Sequence, residues 1–286
     1  MLIDLHTHSD ASDGTDTPEQ LMAVAAAAKL DVVAITDHDT TAGWDLAAEA
    51  LPAGLTLVRG AEFSCQHTAE NGRRISLHLL GYLFDPDHAA LKAERARLQE
   101  NRLGRGRAIV DNMVADGVPI TWERVRQLAG DGAVGRPHIG RALVEQGVVP
   151  DVTAAFSEHL SSRSKYYVPK ADSDVFDIVG MIHAAGGVSV FAHPLARRRG
   201  SVVDDCVITR LAQAGLAGVE VDHPDHAPAD RAHLRDLAAD LGLIGTGSSD
   251  YHGTNKRTAI ADCVTSPDAY EAMVDRARAL TPITRG

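Results

Sequence analysis

The chain has 286 residues, of which 44% are hydrophobic and 4% are aromatic, and its formal net charge is −11. This length suffices for one large α/β domain with a small insertion. The acidity argues against broad, nonspecific binding to nucleic acids or membrane surfaces. It does not exclude an anionic substrate, because bound cations would reverse the local field.

Cysteine usage and hydropathy indicate the compartment. Cys65, Cys206 and Cys263 lie far apart and form no CxxC motif, which predicts a reducing environment without a disulfide framework. Asp4 interrupts the first apolar stretch, and the longest apolar run, residues 21–28, is too short to span a bilayer. We therefore expect a cytoplasmic protein with no membrane association and no stable protein partner.

Strands and helices alternate in the first third of the chain. The stretch Thr17-Pro18-Glu19-Gln20 is typical of a helix start, with Thr as N-cap, Pro in the first turn and Gln completing a capping box. Apolar and β-branched runs predict strands at residues 2–5, 32–36, 55–62 and 75–82. Helices are predicted at residues 21–29 and 41–50.

The pattern changes after residue 90. An Arg-rich helix is predicted at residues 91–113, followed by shorter helices at 122–128, 137–145 and 152–160. Strands then return at 187–192, 218–221 and 243–247, with helices at 174–185, 203–214 and 229–241. This pattern predicts a βα-repeat domain over residues 1–100 and 166–286, interrupted by an all-helical insertion, or lid, over residues 101–165. The alternation favours a parallel sheet, either closed as a barrel or open.

Histidine and carboxylate side chains recur where the predicted strands end. His6-Thr7-His8 follows the first strand, Asp37-His38-Asp39 the second, and Ser249-Asp250-Tyr251-His252 the last. Because the ends of neighbouring strands meet at one edge of the sheet, we expect these groups to converge. Nitrogen and oxygen ligands without thiolate suit Mn, Fe or Zn. So many donors predict two to three divalent metal ions.

These segments, together with Ser12-Asp13-Gly14 and Ala192-His193-Pro194, resemble the four motifs of the PHP (polymerase and histidinol phosphatase) superfamily. The resemblance covers nearly the whole chain and implies an α/β fold, a distorted (βα)₇ barrel with a trinuclear metal centre. It implies that one ion is held by His6, His8, Glu62 and Asp250, a second by Glu62, His78 and His193, and the third by Asp13, His38 and His252. Glu62 would then bridge the first two ions.

The insertion is similar to that of the small stand-alone branch of this superfamily. That branch includes nucleoside 3′,5′-bisphosphate phosphatases and the RNase AM type of 5′–3′ exoribonuclease. Its Arg-x-His motif corresponds here to Gly135-Arg136-Pro137-His138, which implies substrate-phosphate contacts for Arg136 and His138. We add Lys165 as a phosphate contact from its charge and position, with a solvated surface charge as the alternative.

The expected reaction is phosphoester hydrolysis. A multinuclear centre makes a metal-bound hydroxide available near neutral pH, and the ligands would hold it for attack on phosphorus. We expect release of the 3′-phosphate from a nucleoside 3′,5′-bisphosphate such as pAp. The alternatives are 5′–3′ trimming of short RNA, hydrolysis of histidinol phosphate and, in another class, a metal-binding accessory module without turnover.

Some polar residues near the strand ends have no predicted catalytic role. His223 and His226 are predicted to be exposed loop residues, with contact to substrate as the alternative, and the role of Glu220 is open. Asp37 and Asp39 either orient ligands or cap loops. The Arg-rich helix is predicted to present a solvated face, with a basic wall that guides nucleotides as the alternative.

Overall fold

The sheet of this protein is mixed and nearly closed. A computed structural model describes residues 1–130, 134–161 and 163–285. Within these ranges the strands are Ile3–Thr7 (β1), Val32–Ile35 (β2), Thr56–Thr68 (β3), Arg74–Tyr82 (β4), Ser173–Asp174 (β5), Val188–Phe191 (β6), Gly218–Asp222 (β7), Ile244–Gly247 (β8) and Ile283–Thr284 (β9). The main sheet has the order β1-β2-β3-β4-β6-β7-β8, and the short β5 and β9 pair with β3.

Helices connect most of the strands. They are Pro18–Ala27 (α1), Trp44–Glu49 (α2), Ala89–Ala115 (α3), Trp122–Ala129 (α4), Arg136–Glu145 (α5), Val152–Ala155 (α6), Val175–Ala184 (α7), Asp205–Gln213 (α8), Pro228–Leu241 (α9) and Pro267–Arg276 (α10). The predicted capping box of α1 is confirmed, since Thr17 and Gln20 exchange hydrogen bonds of 3.3 and 2.9 Å. Helix α10 was not predicted. None of the described helices combines the length and apolarity needed to cross a bilayer.

The predicted barrel is confirmed as a nearly closed sheet, but the expectation of a parallel sheet is wrong for β4. This strand runs antiparallel to both β3 and β6, whereas the other neighbours on the main path are parallel. The cause is a tight connection in which the Ala69 N–H donates to the Arg73 carbonyl, because such a hairpin reverses the chain. The two ends of the sheet meet where the His8 N–H donates to the Tyr251 carbonyl at 2.9 Å.

Strand alternation positions the site at one end of a buried apolar cluster. On β3, Val58 lies in this cluster, and Glu62 continues the same alternating face. On β4, Leu80 lies in the cluster, and His78 continues that face. The side chains of Glu62 and His78 therefore project from the same face as the cluster, beyond its edge.

The helical insertion has a core of its own. Its buried apolar side chains all come from residues 109–166. Helix α3 belongs to both parts, since Leu91 and Leu98 pack in the main core whereas Val110 and Met113 pack in the insertion. The boundary predicted at residue 100 thus falls within a continuous helix, and the division into residues 1–100 with 166–286 and 101–165 stays a prediction.

The separate core of the insertion can be tested by truncating Leu143, which is fully buried in it. We expect Leu143→Ala to reduce the free energy of unfolding by about 2–5 kcal/mol, because the cavity is only partly filled by relaxation. Val114→Ala on the exposed side of α3, where the side chain is 49% exposed, should change it by less than about 0.5 kcal/mol. Urea denaturation of both variants measures the difference, and equal stabilities would contradict a packed insertion core.

Candidate metal centre

The carboxylate of Glu62 lies at the centre of the converging strand ends. It is 1% exposed, and imidazole nitrogens approach both of its oxygens. Oε2 lies 3.2 Å from ring nitrogens of His6, His8 and His38, and Oε1 lies 2.8 Å from His78 and 3.0 Å from His193. A carboxylate surrounded in this way can bridge two cations.

A second focus lies beside the first, at Asp13. Its Oδ1 lies 3.3 Å from His252 Nε2, and its Oδ2 lies 3.7 Å from His38 Nε2. The Nδ1 of His252 is 2.8 Å from the Asp250 carbonyl, and a carbonyl can only accept a hydrogen bond. The ring proton is therefore on Nδ1, and the lone pair of Nε2 faces Asp13. The ring of His8 lies 4.0 Å from that of His252, tilted by 30°, and so joins the two foci.

The structure brings all nine predicted ligands into one connected cluster. Among the described residues, three overlapping groups could hold a metal ion, namely His6 with His8, Glu62 and Asp250; His8 with Asp13, His38 and His252; and His38 with Glu62 and His78. The first matches the set predicted for one ion, and the second contains the set predicted for the third ion. His193 is outside these groups but lies within hydrogen-bonding distance of Glu62. The ligand roles themselves stay predictions.

Several nitrogen and oxygen atoms of the cluster are better placed to bind a cation than to hydrogen-bond with one another. His38 Nδ1, His78 Nδ1 and Asp250 Oδ1 are buried and have no hydrogen-bond partner among the residues that the structure describes. His78 Nδ1 lies 2.8 Å from Glu62 Oε1 but is not aligned for a hydrogen bond with it. This geometry is expected of two metal-ligand atoms that point toward the same cation position. Buried polar atoms are rarely left unpaired. The residues present therefore fit divalent cations.

Glu220 supports two of these histidines, a role that the sequence left open. It is fully buried, and its Oε1 lies 3.1 Å from His6 Nδ1. Burial would raise the pKa of Glu220, but the nearby His6 and His223 rings outweigh it and hold the pKa well below its usual range. The ionised carboxylate can only accept, so His6 Nδ1 carries the proton and Nε2 is free to bind a metal. The backbone N–H of His193 donates to Oε2 at 2.7 Å.

The two carboxylate oxygens of Asp250 face different groups. Oδ1 faces His6 and His8, whereas Oδ2 accepts from Arg199 and Lys256, each at 2.6 Å. Neither cation was predicted, because Arg199 ends a short 3₁₀ turn and Lys256 lies in a loop, and neither segment carries a recognisable motif.

The prediction that His223 and His226 are exposed is wrong. They are 0% and 3% exposed, because the polar turn at residues 222–226 folds inward against residues 193–195. His223 Nε2 lies 3.3 Å from Asp250 Oδ2, and His226 Nε2 accepts from the Leu195 N–H at 3.2 Å. Both rings therefore fix the loops that carry candidate ligands.

Asp37 and Asp39 hold neighbouring segments in place. Asp37 accepts from the N–H and Oγ of Ser9 and from Ser12 Oγ at 2.6–2.8 Å, and so fixes the loop between His8 and Asp13. Asp39 accepts from the Ser64 N–H at 2.7 Å. These contacts favour the prediction that both acids orient ligands.

The Arg-rich helix is only partly solvated, and the prediction of a solvated face is wrong for two of its arginines. Arg95 is 9% exposed and donates to Thr41 and the Pro86 carbonyl, and Arg102 pairs with Asp39. Arg107, in contrast, is exposed and pairs with Asp111. Arg95 and Arg102 thus connect α3 to the loop after β2.

The insertion brings the start of α5, where Arg136 and His138 lie, near the metal centre. A Cβ atom on Gly135 would lie 3.9 Å from that of Asp13, so α5 begins beside the second focus. His138 Nδ1 accepts from the Gly135 N–H at 3.0 Å, and burial lowers the pKa of His138 to about 4. Arg136 donates to the Leu160 carbonyl at 2.7 Å, and burial lowers its pKa to about 10.

Lys165 is not brought to this group. Its side chain is 69% exposed, pairs with Asp116 near the end of α3 and lies 4.9 Å from the Tyr166 ring. These contacts match the alternative of a solvated surface charge.

Comparisons with known proteins agree with this geometry. Residues 4–104 match the PHP domain. A 3′,5′-nucleoside bisphosphate phosphatase from Chromobacterium violaceum is 34% identical over 253 residues, which cover 87% of each chain. The 5′-3′ exoribonuclease Rnm of Salmonella typhimurium is 32% identical over 255 residues, which cover 88% of this chain and 85% of that protein.

This chain belongs to the PHP family. The crystal structure of a candidate metal-dependent phosphoesterase from Bifidobacterium adolescentis superposes with a TM-score of 0.90, at 34% identity and 96% coverage of both chains. The PHP fold expected from the motifs is therefore confirmed, and the chain is a metal-dependent phosphoester hydrolase.

The role of Glu220 can be tested by Glu220→Gln, which keeps the shape but removes the charge. We expect metal affinity to fall about 10–100-fold, because the tautomer of His6 is no longer fixed. The control is Asp222→Asn on the same strand, whose carboxylate pairs with Arg235 at the surface. Titration of the apo-protein with Mn²⁺ measures the affinity, and equal affinities in both variants would contradict this role.

Removal of metal should also lower stability. Bound cations would neutralise the buried carboxylates, and a ligand at 100 times its Kd stabilises the folded state by about 2.7 kcal/mol. We expect the Tm to fall after dialysis against a chelator and to recover when Mn²⁺ or Zn²⁺ is added back. Differential scanning fluorimetry with elemental analysis measures this; a Tm that is independent of the metal content would count against the centre.

Proposed function

We propose that this enzyme removes the 3′-phosphate from a nucleoside 3′,5′-bisphosphate such as pAp. The observation that supports the proposal is the position of α5, which starts beside the candidate ligand Asp13, so that Arg136 and His138 in its first turn would face a phosphate bound there. A phosphate bound at the cluster would thus meet both the ligand side chains and the insertion.

The ligand side chains suit hydrolysis without a protein nucleophile. Divalent ions bound there, two to three of Mn, Fe or Zn, would lower the pKa of water and neutralise phosphoryl oxygens. The centre is most open at His78, 21% exposed, and His38, 11% exposed, whereas His6 and His8 are fully buried. The substrate would therefore approach from the side of His78 and His38.

Arg136 would bind a phosphate oxygen pair. Its guanidinium carries five N–H donors, and one of them is bonded to Leu160, which fixes its orientation. Charge-assisted bonds from a fixed guanidinium to phosphate are among the stronger hydrogen bonds in proteins. The neutral His138 ring would donate its Nε2–H, because Nδ1 accepts from Gly135.

A second candidate is 5′–3′ trimming of short RNA at the same centre. The relative from Salmonella typhimurium favours it, being 32% identical over most of both chains and named an exoribonuclease. Histidinol phosphate is a less favoured substrate.

A cytoplasmic location, without a membrane or a stable protein partner, completes the proposal and fits the three free cysteines of the described chain.

Substrate choice can be tested with the Mn²⁺-loaded protein. We expect phosphate release from pAp to exceed that from histidinol phosphate, and His193→Ala to lower kcat at least about 100-fold because a group bonded to Glu62 is lost. The matched control is His233→Ala, an exposed histidine that pairs with Asp205. Malachite-green assays measure phosphate, and product chromatography measures nucleotides from short RNA.

Each outcome leads to a different assignment. Nucleotide release from RNA without phosphate release from pAp would assign the exoribonuclease activity. No turnover of any substrate at full metal loading would leave only the metal-binding module.

A further inference from the structure

We propose that the loops after β6 and β8 bind an RNA chain beyond the phosphate that reaches the metal centre. The basic side chains of these two loops, here called the basic loops, are Arg197, Arg198, Arg199, Lys256 and Arg257. The inference rests on the second candidate function, trimming of short RNA, and deepens it by naming the surface that would hold the uncleaved part of the chain.

The two basic loops adjoin at Asp250. Arg199 Nη2 and Lys256 Nζ each lie 2.6 Å from Asp250 Oδ2. Oδ1 of the same carboxylate lies 3.4 Å from His6 Nε2 and 3.5 Å from His8 Nε2. The basic loops therefore begin at a carboxylate whose other oxygen faces the candidate ligands. From there they continue to the surface, where the exposed side chains are Arg197, Arg198 and Arg257.

The loop after β8 also passes beside Asp13, next to the start of α5. Asn255 Nδ2 donates to the Asp13 carbonyl at 2.7 Å, and Lys256 follows directly in the chain. A Cβ atom on Gly135, at the start of α5, would lie 3.9 Å from that of the same aspartate. A phosphate bound at Asp13 would thus lie close both to the insertion and to the basic loops.

An RNA chain makes a demand that a nucleoside bisphosphate does not. The scissile phosphate of RNA carries a nucleoside on each side, whereas the 3′-phosphate of pAp is terminal. The nucleotides that remain after cleavage each add a phosphate, and these phosphates need cations of their own. The basic loops supply cations that begin at the metal centre and lie outside the insertion.

Positive charge exceeds negative charge on the basic loops, although the whole chain has a net charge of −11. Within residues 1–130, 134–161 and 163–285, Arg198 and Arg257 form no ion pair with a carboxylate. The side chain of Arg197 is 62% exposed and lies 3.6 Å from Asp230, and such exposed pairs contribute at most about 1 kcal/mol. A local excess of positive charge attracts and orients a polyanion. The carboxylates that pair with the basic loops are Asp225, Asp230 and Asp250.

The composition of the basic loops favours contact with phosphates over contact with bases. Residues 197–200 and 255–258 contain no aromatic side chain on which a base could stack. Guanidinium and ammonium groups form charge-assisted hydrogen bonds to phosphate oxygens, and such contacts carry no sequence information. We therefore expect single-stranded RNA to bind independently of its base sequence and with a strong dependence on salt.

The test measures binding of a 5′-phosphorylated RNA hexamer to the Mn²⁺-loaded full chain by fluorescence anisotropy. Phosphorothioate linkages make the hexamer resistant to hydrolysis. The double variant Arg198→Glu, Arg257→Glu should raise the Kd about tenfold or more, because two charge-assisted contacts are lost. The slope of log Kd against log salt concentration should become shallower by about 0.7 for each lost phosphate contact. Arg198→Lys with Arg257→Lys, which keeps both charges, should stay within about threefold of the parent.

The matched control is Lys92→Glu with Arg124→Glu, which changes the net charge of the chain equally. Both side chains are exposed, at 63% and 44%, and they pair with Asp87 and Glu145 on other parts of the surface. This control should bind the hexamer within about threefold of the parent. A loss as large as that of the Arg198→Glu, Arg257→Glu variant would show an effect of net charge alone and would overturn the assignment of the basic loops.

Hydrolysis of pAp by the same proteins separates this inference from the proposed functions. Because the 3′-phosphate of pAp is terminal, the kcat/KM for pAp of the Arg198→Glu, Arg257→Glu variant should stay within about threefold of the parent. If the parent binds the hexamer without cleaving unmodified RNA, and this variant loses binding, the trimming reaction fails and the RNA-binding surface stands. The surface is refuted if the variant binds the hexamer as the parent does, if the parent does not bind it, or if pAp hydrolysis falls as much as RNA binding.

Discussion

The structure depends on keeping several carboxylates buried close together at one end of the sheet. Glu62, Asp250 and Glu220 are each at most 1% exposed, and Asp13 is 6% exposed. A buried charge without a compensating partner costs several kcal/mol, so these acids persist only because imidazoles, basic side chains and cations offset them. Glu62 and Glu220 lie on strands, whereas Asp13 and Asp250 lie in loops that follow strands.

That compensation also fixes the geometry of the centre. Asp250 presents one oxygen to the centre while Arg199 and Lys256 hold the other, and Glu220 fixes the tautomer of His6. The backbone at His193 and Asp250 has φ values of +33° and +54°, which side-chain-bearing residues seldom adopt. Glu220 accepts the His193 N–H and so stabilises one of these conformations. The donors are therefore oriented by the protein itself.

The sequence predicted what depends on local pattern and missed what depends on how loops fold. His6 and His8 could be placed together because residues two apart share a face of a strand. The reversal of β4 was missed, although the strands predicted at residues 55–62 and 75–82 have no helix between them, because the strand and helix alternation elsewhere was extended to this pair. Glu220 looked like one acid in an apolar strand, and His223 like part of a polar turn, because burial of a turn depends on distant residues. Lys165 was chosen by charge, but its neighbours direct it to the surface.

The continuity of α3 explains how the insertion and the barrel keep one geometry. Its first half packs on the barrel through Leu91 and Leu98, and its second half forms part of the insertion core. Between these halves, Arg102 contacts Asp39, next to His38, and donates to Ser64, opposite His78. A helix fastened at that point cannot shift without disturbing groups beside the candidate ligands. The position of the insertion relative to the metal centre is thus held by the packing of α3 on both parts and by the contacts of Arg102.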